Sequence, residues 1–161
     1  MLLALILLAG CAAPVVQQGQ GYRDTNALIG ATSRYDAGRF AGPWVVRGSF
    51  DLDAPDRVAL VQSTGGPAFQ LCDDAGDCEV LWQARATGQG RYALTRPNGT
   101  TRDLWILWVD EGFRTAVVGN PAGDFGWILD RNPTRGADRI TAAQEILDFT
   151  GYDISQLRMR K

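Results

Sequence analysis

Between Gly42 and Arg131 the chain is broken at short, fairly even intervals by turn signals, and no interval is long enough to hold a helix crossing back over a sheet. The breaks are Asp53-Ala54-Pro55-Asp56, Thr64-Gly65-Gly66-Pro67, Asp73 to Asp77, Thr87-Gly88-Gln89-Gly90, Pro97-Asn98-Gly99, Asp110-Glu111-Gly112 and Asn120-Pro121-Ala122-Gly123. Seven turns bound eight strands, and strands joined this tightly run antiparallel to their sequence neighbours. An eight-stranded meander closes into a barrel or folds over as a sandwich, and closure leaves no exposed edge. The expectation is an all-β, eight-stranded antiparallel up-and-down barrel.

Alternation within the strands says which way the barrel faces. Val80, Trp82 and Ala84 share one face against Glu79, Gln83 and Arg85, and Tyr92 and Leu94 repeat the pattern against Arg91 and Thr95. Apolar-in and polar-out is the reverse of a membrane porin, whose apolar band faces outward. Two strands, Leu104 to Val109 and Ala116 to Val118, are apolar on both faces and need a cover from outside. Ala137 to Thr150 supplies it, with Ile140, Ala143, Ile146 and Leu147 near the helical period and Gly151 as the stop. One C-terminal α-helix is therefore predicted to pack outside the barrel, with Tyr152-Asp153-Ile154 adding a short edge strand.

Composition narrows the function. Sixteen Lys+Arg against eighteen Asp+Glu give no electrostatic footprint for nucleic acid. The absence of histidine from all 161 residues removes the usual general base and the commonest transition-metal ligand. No nucleophile with a base beside it is evident, so neither an enzyme nor a cofactor is expected.

Residues 1–10 read as an export signal: the apolar run Leu2 to Ala9 is too short to cross a bilayer and ends in Leu8-Ala9-Gly10-Cys11. The polar stretch that follows, with Gln17, Gln18 and Gly19, suits a tether, taken as residues 11–34, ahead of a domain over residues 35–161. Cys72 and Cys78 remain as an even pair in an exported chain, spaced for the two ends of a hairpin loop, and are predicted to form a disulfide. The aspartates between them lack the closing Glu of an EF-hand, which leaves a solvated turn.

Three stretches carry a family resemblance. Tyr35 to Trp44, with Gly42-Pro43-Trp44, resembles the Gly-x-Trp entry to the first strand of the lipocalins. Leu104 to Phe113 is similar to their sixth strand and its acidic turn, and Trp127-Ile128-Leu129-Asp130-Arg131-Asn132-Pro133 to their last strand with its arginine. Leu8-Ala9-Gly10-Cys11 resembles a bacterial lipobox, so the nearest match is the bacterial outer-membrane lipoprotein branch. That resemblance implies acylation of Cys11, a membrane contact through the anchor, a periplasm-facing outer-membrane location and a fatty acid or lysophospholipid as ligand.

In a closed barrel the first and last strands are neighbours, so Arg131 can lie over Trp44 and plug one end. If Arg131 points inward, then Leu129, Trp127 and Phe125 share its face. With Val80, Trp82, Tyr92, Leu94, Ile106 and Trp108 they make an apolar wall suited to an acyl chain. Two readings stay open: a lipid-binding cup, or a barrel filled by its own rings that acts as an envelope scaffold. A homodimer is compatible with either.

Overall fold

A computed structural model describes residues 21–73 and 75–160; of Val80 and Leu81 it describes the backbone only. Cys11 and the apolar run before it lie outside the described residues. Eight strands follow in chain order: β1 (Gly42–Ser49), β2 (Arg57–Ser63), β3 (Gly66–Cys72), β4 (Cys78–Gly88), β5 (Arg91–Thr95), β6 (Thr101–Val109), β7 (Thr115–Gly119) and β8 (Gly126–Asp130). Each pairs antiparallel with the next, and β1 pairs with both β2 and β8, so the sheet closes. The register is explicit at the seam: Trp44 lies opposite Val58 on one side, and Val45 opposite Asp130 on the other.

The loops after β1, β3, β5 and β7 gather at one end, the mouth; those after β2, β4 and β6 lie at the other, the base. The Cys72–Cys78 disulfide ties the β3–β4 hairpin at the mouth, with Cα atoms 4.1 Å apart. At the base Asp110 organises the β6–β7 turn, accepting from the amides of Gly112, Arg114 and Thr115 and from the Arg114 guanidinium. Burial pushes its carboxyl up, but the Thr115 and Arg114 amides and the arginine's charge outweigh that and hold it below its ordinary value. The same turn forces Phe113 into the left-handed region at φ +55°, and Arg39 lies 4.0 Å above its ring.

The helix α2 (Ala137–Phe149) packs on the outer face of β6, β7 and β8. Ile140, Ala143 and Leu147 are buried against Leu107, Val117 and Ile128 in a cluster distinct from the barrel interior. Each fully buried aliphatic side chain there contributes about 1.5–3 kcal/mol. The helix ends as its glycine requires: Gly151 sits at φ +90°, its amide bonds Asp148 O at 2.9 Å, and the Tyr152 amide bonds Leu147 O at 3.0 Å. At its start Arg139 reaches Asp130, which is wholly buried, at 3.3 Å and donates to Thr115 Oγ1 at 2.7 Å, pinning the helix to the base.

The edge strand falls elsewhere than Tyr152-Asp153-Ile154. Tyr152 makes only an isolated bridge to Arg23, Ile154–Gln156 is a 3-10 turn, and the added strand is β9 (Arg158–Met159), paired with Gly48 and Ser49 of β1. Tyr152 is taken up by packing instead: its ring fills the space beside Gly119 and Gly126, where a Cβ would collide with it. Its hydroxyl donates to Phe125 O at 2.9 Å and accepts from the Asn120 amide at 3.0 Å. Residues 21–34 run down the outside of the barrel, held by Arg23 Nε donating to Thr150 O at 2.7 Å and by the Thr32 amide on Ile106 O.

Candidate functional site

The base is closed by residues that the chain delivers just before β1. Asp36 caps the short helix α1 (Ala37–Phe40) by accepting from the Arg39 amide, and this turn places Phe40 against Trp44, ring centroids 4.9 Å apart. Trp44 is buried and donates from Nε1 to Phe40 O at 2.9 Å. Across the seam Arg131 lies 3.7 Å from the Trp44 ring centroid and donates to the carbonyls of Pro43, Arg39, Phe40 and Ala41. Burial lowers its guanidinium below the ordinary arginine value. Tyr35 completes the plug by hydrogen bonding hydroxyl to hydroxyl with Tyr92; burial first, and then this contact, raises its phenol.

Above the plug the interior is filled by side chains. Leu60, Phe69, Tyr92, Ile106, Val118 and Leu129 form the middle, and Trp82, Leu94, Leu104, Phe125 and Trp127 the mouth. Among the described residues a cavity of about 20 Å³ lies at the mouth, lined by Phe69, Leu71, Trp82, Leu94, Arg102, Leu104, Phe125 and Trp127. That is room for about one water, against the roughly 300–1,000 Å³ of sites that take drug-sized ligands.

Cations cover this apolar mouth. Arg96 stacks 4.4 Å over Trp82, while Arg102 lies 5.9 Å from the same ring and 4.9 Å from Phe125. Arg102 also pairs with Asp124 at 3.2 Å, with both side chains part-exposed. Trp127 is held by its Nε1 donating to Asp51 Oδ1 at 2.9 Å. A guanidinium stacked on a ring while itself open to solvent, as Arg96 is, is worth about 0.5–1 kcal/mol, so this cover is fixed weakly compared with the base. Among the described residues no group of three or more His, Cys, Asp or Glu is placed to hold a metal.

Residues 82–161 match the family model described as a lipocalin-like domain. The barrel is lipocalin-like. Temperature-induced lipocalin-1 of Arabidopsis thaliana is 33% identical over 57 residues, which is 35% of this chain and 31% of the plant protein. The chain thus matches about a third of that relative's length. Among solved structures, apocrustacyanin C1 superposes with a TM-score of 0.56 at 12% identity over 75% of this chain and 76% of its own. Apocrustacyanin C2 gives 0.54 with the same identity and coverage.

The residues read from the sequence as the wall of this lipocalin-like barrel fall into three groups. Trp82, Leu94, Phe125 and Trp127 converge at the mouth; Tyr92, Ile106 and Leu129 face inward but lie deeper, among the packed middle. Trp108, expected in the wall, lies on the outer face instead. The β6–β7 register slips between Ile106 and Trp108, so the extra residue turns Leu107 and Trp108 to the outer face and puts Val109 inside. Val80 pairs with Gln70 across a second register shift on β3–β4, and its side chain is outside what is described.

Four contributors were missed from the sequence. Phe69 and Leu71 sit at period two on β3, and Leu104 two before Ile106, so alternation could have found them. Arg102 extends that same row, but an arginine at an inward position reads as solvent-facing until the ring beneath it is known.

Proposed function

We propose that the chain is a lipocalin of the bacterial outer-membrane lipoprotein branch, anchored through acylated Cys11 and facing the periplasm, that binds a small hydrophobic ligand such as a fatty acid or lysophospholipid. It stores or transfers that ligand without transforming it. The observation carrying this reading is the asymmetry of the two ends: the base is locked by five polar contacts around Arg131 and Trp44, whereas the mouth is an aromatic cluster covered by stacked arginines with one part-exposed ion pair, Arg102 to Asp124. A ligand enters where the cover is weakest.

With about 20 Å³ free, an acyl chain needs Trp82 and Phe125 to swing aside together with Arg96 and Arg102. Each methylene buried returns about 0.8 kcal/mol, so a few of them offset the lost stacking. Binding is then confined to the mouth half, above Tyr92 and Leu129.

Native mass spectrometry after gentle detergent extraction tests this. The expected spectrum shows, besides the anchor, a further acyl mass that exchanges for added fatty acid; protein carrying the anchor alone, at saturating fatty acid, overturns the ligand reading. The filled interior favours the second reading, a plugged envelope scaffold, and that same bare spectrum is its signature.

A further inference from the structure

We infer that the outside of the barrel's base carries a second site, for a phosphate group, formed where β8 leads into α2. A recess of about 380 Å³ is lined there by Arg114, Asp130, Arg131, Asn132, Arg135 and Arg139. It is separated from the mouth cavity by the length of the barrel and shares no lining residue with it. Four guanidiniums against one carboxylate is an imbalance in a chain whose formal charge is −2. The neighbours that bond to these residues leave the excess unchanged. Asp110 engages Arg114, while Arg47 donates to the carbonyls of Asn132 and Arg135, which makes five guanidiniums to two carboxylates.

The contacts made by these arginines leave donors over. Arg114 spends Nε and Nη2 on Asp110, Arg139 spends Nε on Thr115 and Nη2 on Asp130, and Arg131 spends both terminal nitrogens on carbonyls. That leaves Nη1 of Arg114, Nη1 of Arg139 and Nε of Arg131 without a partner among the described residues. Arg135 is exposed, and its guanidinium makes no ion pair or hydrogen bond among them. With two carboxylates among five guanidiniums, an added anion is favoured by charge.

The geometry selects the anion. Three of the four arginines are positioned by internal bonds and come from separate elements, the β6–β7 turn, the end of β8 and the start of α2, so the donors belong to separate guanidiniums rather than to one planar fork. A carboxylate offers two oxygens in one plane, matching a single guanidinium; a phosphate monoester offers three acceptor oxygens in a pyramid and about −1.5 to −2 charge at neutral pH. The site therefore takes a terminal phosphate, whether on a soluble molecule or on a lipid headgroup.

Arg135 supplies the test, because removing its side chain breaks no internal contact. Isothermal titration of the full chain in detergent with inorganic pyrophosphate, in chloride buffer at low ionic strength, is expected to give one saturable site. Arg135→Ala should weaken it at least tenfold, Arg135→Lys less, and a fluorescent fatty acid should titrate into both variants as into the parent. Saturable pyrophosphate binding of equal strength in Arg135→Ala, or none in the parent, overturns the inference. With the acyl anchor removed by Cys11→Ser, co-flotation with phosphatidic acid vesicles but not phosphatidylcholine vesicles, lost when Arg135→Ala is added and competed by pyrophosphate, assigns the phosphate to a headgroup; pyrophosphate binding without flotation assigns it to a soluble molecule.

Discussion

Arg131 and Trp44 meet across the seam that closes the barrel, the guanidinium 3.7 Å from the indole centroid, with four main-chain carbonyls completing its surroundings. The pair joins the residue just before β1's seam to the residue just after β8, so it is a lock on closure as well as a plug. Arg131→Ala is expected to lower the unfolding free energy by about 2–4 kcal/mol, from carbonyls left unpaired and stacking lost. Arg131→Lys should recover less than half, since an ammonium cannot fork to several carbonyls while lying flat on a ring. Urea denaturation followed by tryptophan fluorescence measures both.

Arg139 holds the helix to the base through Asp130, whose side chain is 0% exposed while that of Arg139 is 16%. Arg139→Met leaves that carboxylate buried without its charge partner and should cost about 3–5 kcal/mol. The double variant with Asp130→Asn should lie closer to the parent than the single variant does. A double variant no more stable than Arg139→Met in the same denaturation assay would contradict this.

Alkaline stability should turn on Tyr152. Burial pushes its phenol up to about 12, the largest cause, and Tyr35 is raised by burial as well. Unfolded tyrosine ionises near 10, so above that pH the unfolded chain loses protons that the folded chain keeps, and stability falls as pH rises from about 10 to 12. For Tyr152 the loss is on the order of 2–3 kcal/mol. Tyr152→Phe should be less stable at pH 8 by about 1 kcal/mol, through its two lost hydrogen bonds, and show a shallower fall between pH 10 and 12. Equilibrium denaturation across that range decides it.

The Cys72–Cys78 bridge closes a short loop at the mouth, six residues apart in sequence. Its reduction, or replacement of both cysteines by alanine, should cost about 2 kcal/mol, since short loops gain least from cross-linking. A drop in thermal midpoint with unchanged circular dichroism at 20 °C is the expected reading.

Trp108 and Trp127 separate the outer face from the mouth. Trp108 is half-buried among the side chains between β6 and α2, so Trp108→Ala should cost about 2 kcal/mol of stability and leave fatty-acid affinity unchanged. Trp127 lines the mouth cavity, so Trp127→Ala should alter that affinity. Titration with a fluorescent fatty acid compares the two.

Most of the architecture is written in local patterns. Turn residues at regular spacing are enough for eight sequential antiparallel strands; the helical period from Ile140 to Leu147 and the glycine at 151 are enough for the helix and its end. Alternation places Tyr92, Leu94, Phe125, Trp127 and Leu129 on the inside, because the rows through β5 and β8 keep their period, and it places Trp82 with Ala84 beyond the β4 register shift. These are properties of neighbouring residues, and the chain carries them before it folds.

Tertiary structure decided the rest. A single extra residue in β6 reverses the facing of Trp108 and Val109, and no local signal marks it, because Leu104 to Val109 is apolar on both faces and either register buries something. The filling of the interior depends on how rings from five strands and α1 interlock, which follows from volumes brought together only on closure. The arginine recess likewise joins the β6–β7 loop to the start of α2, residues that meet only after the barrel has closed and the helix has docked on it.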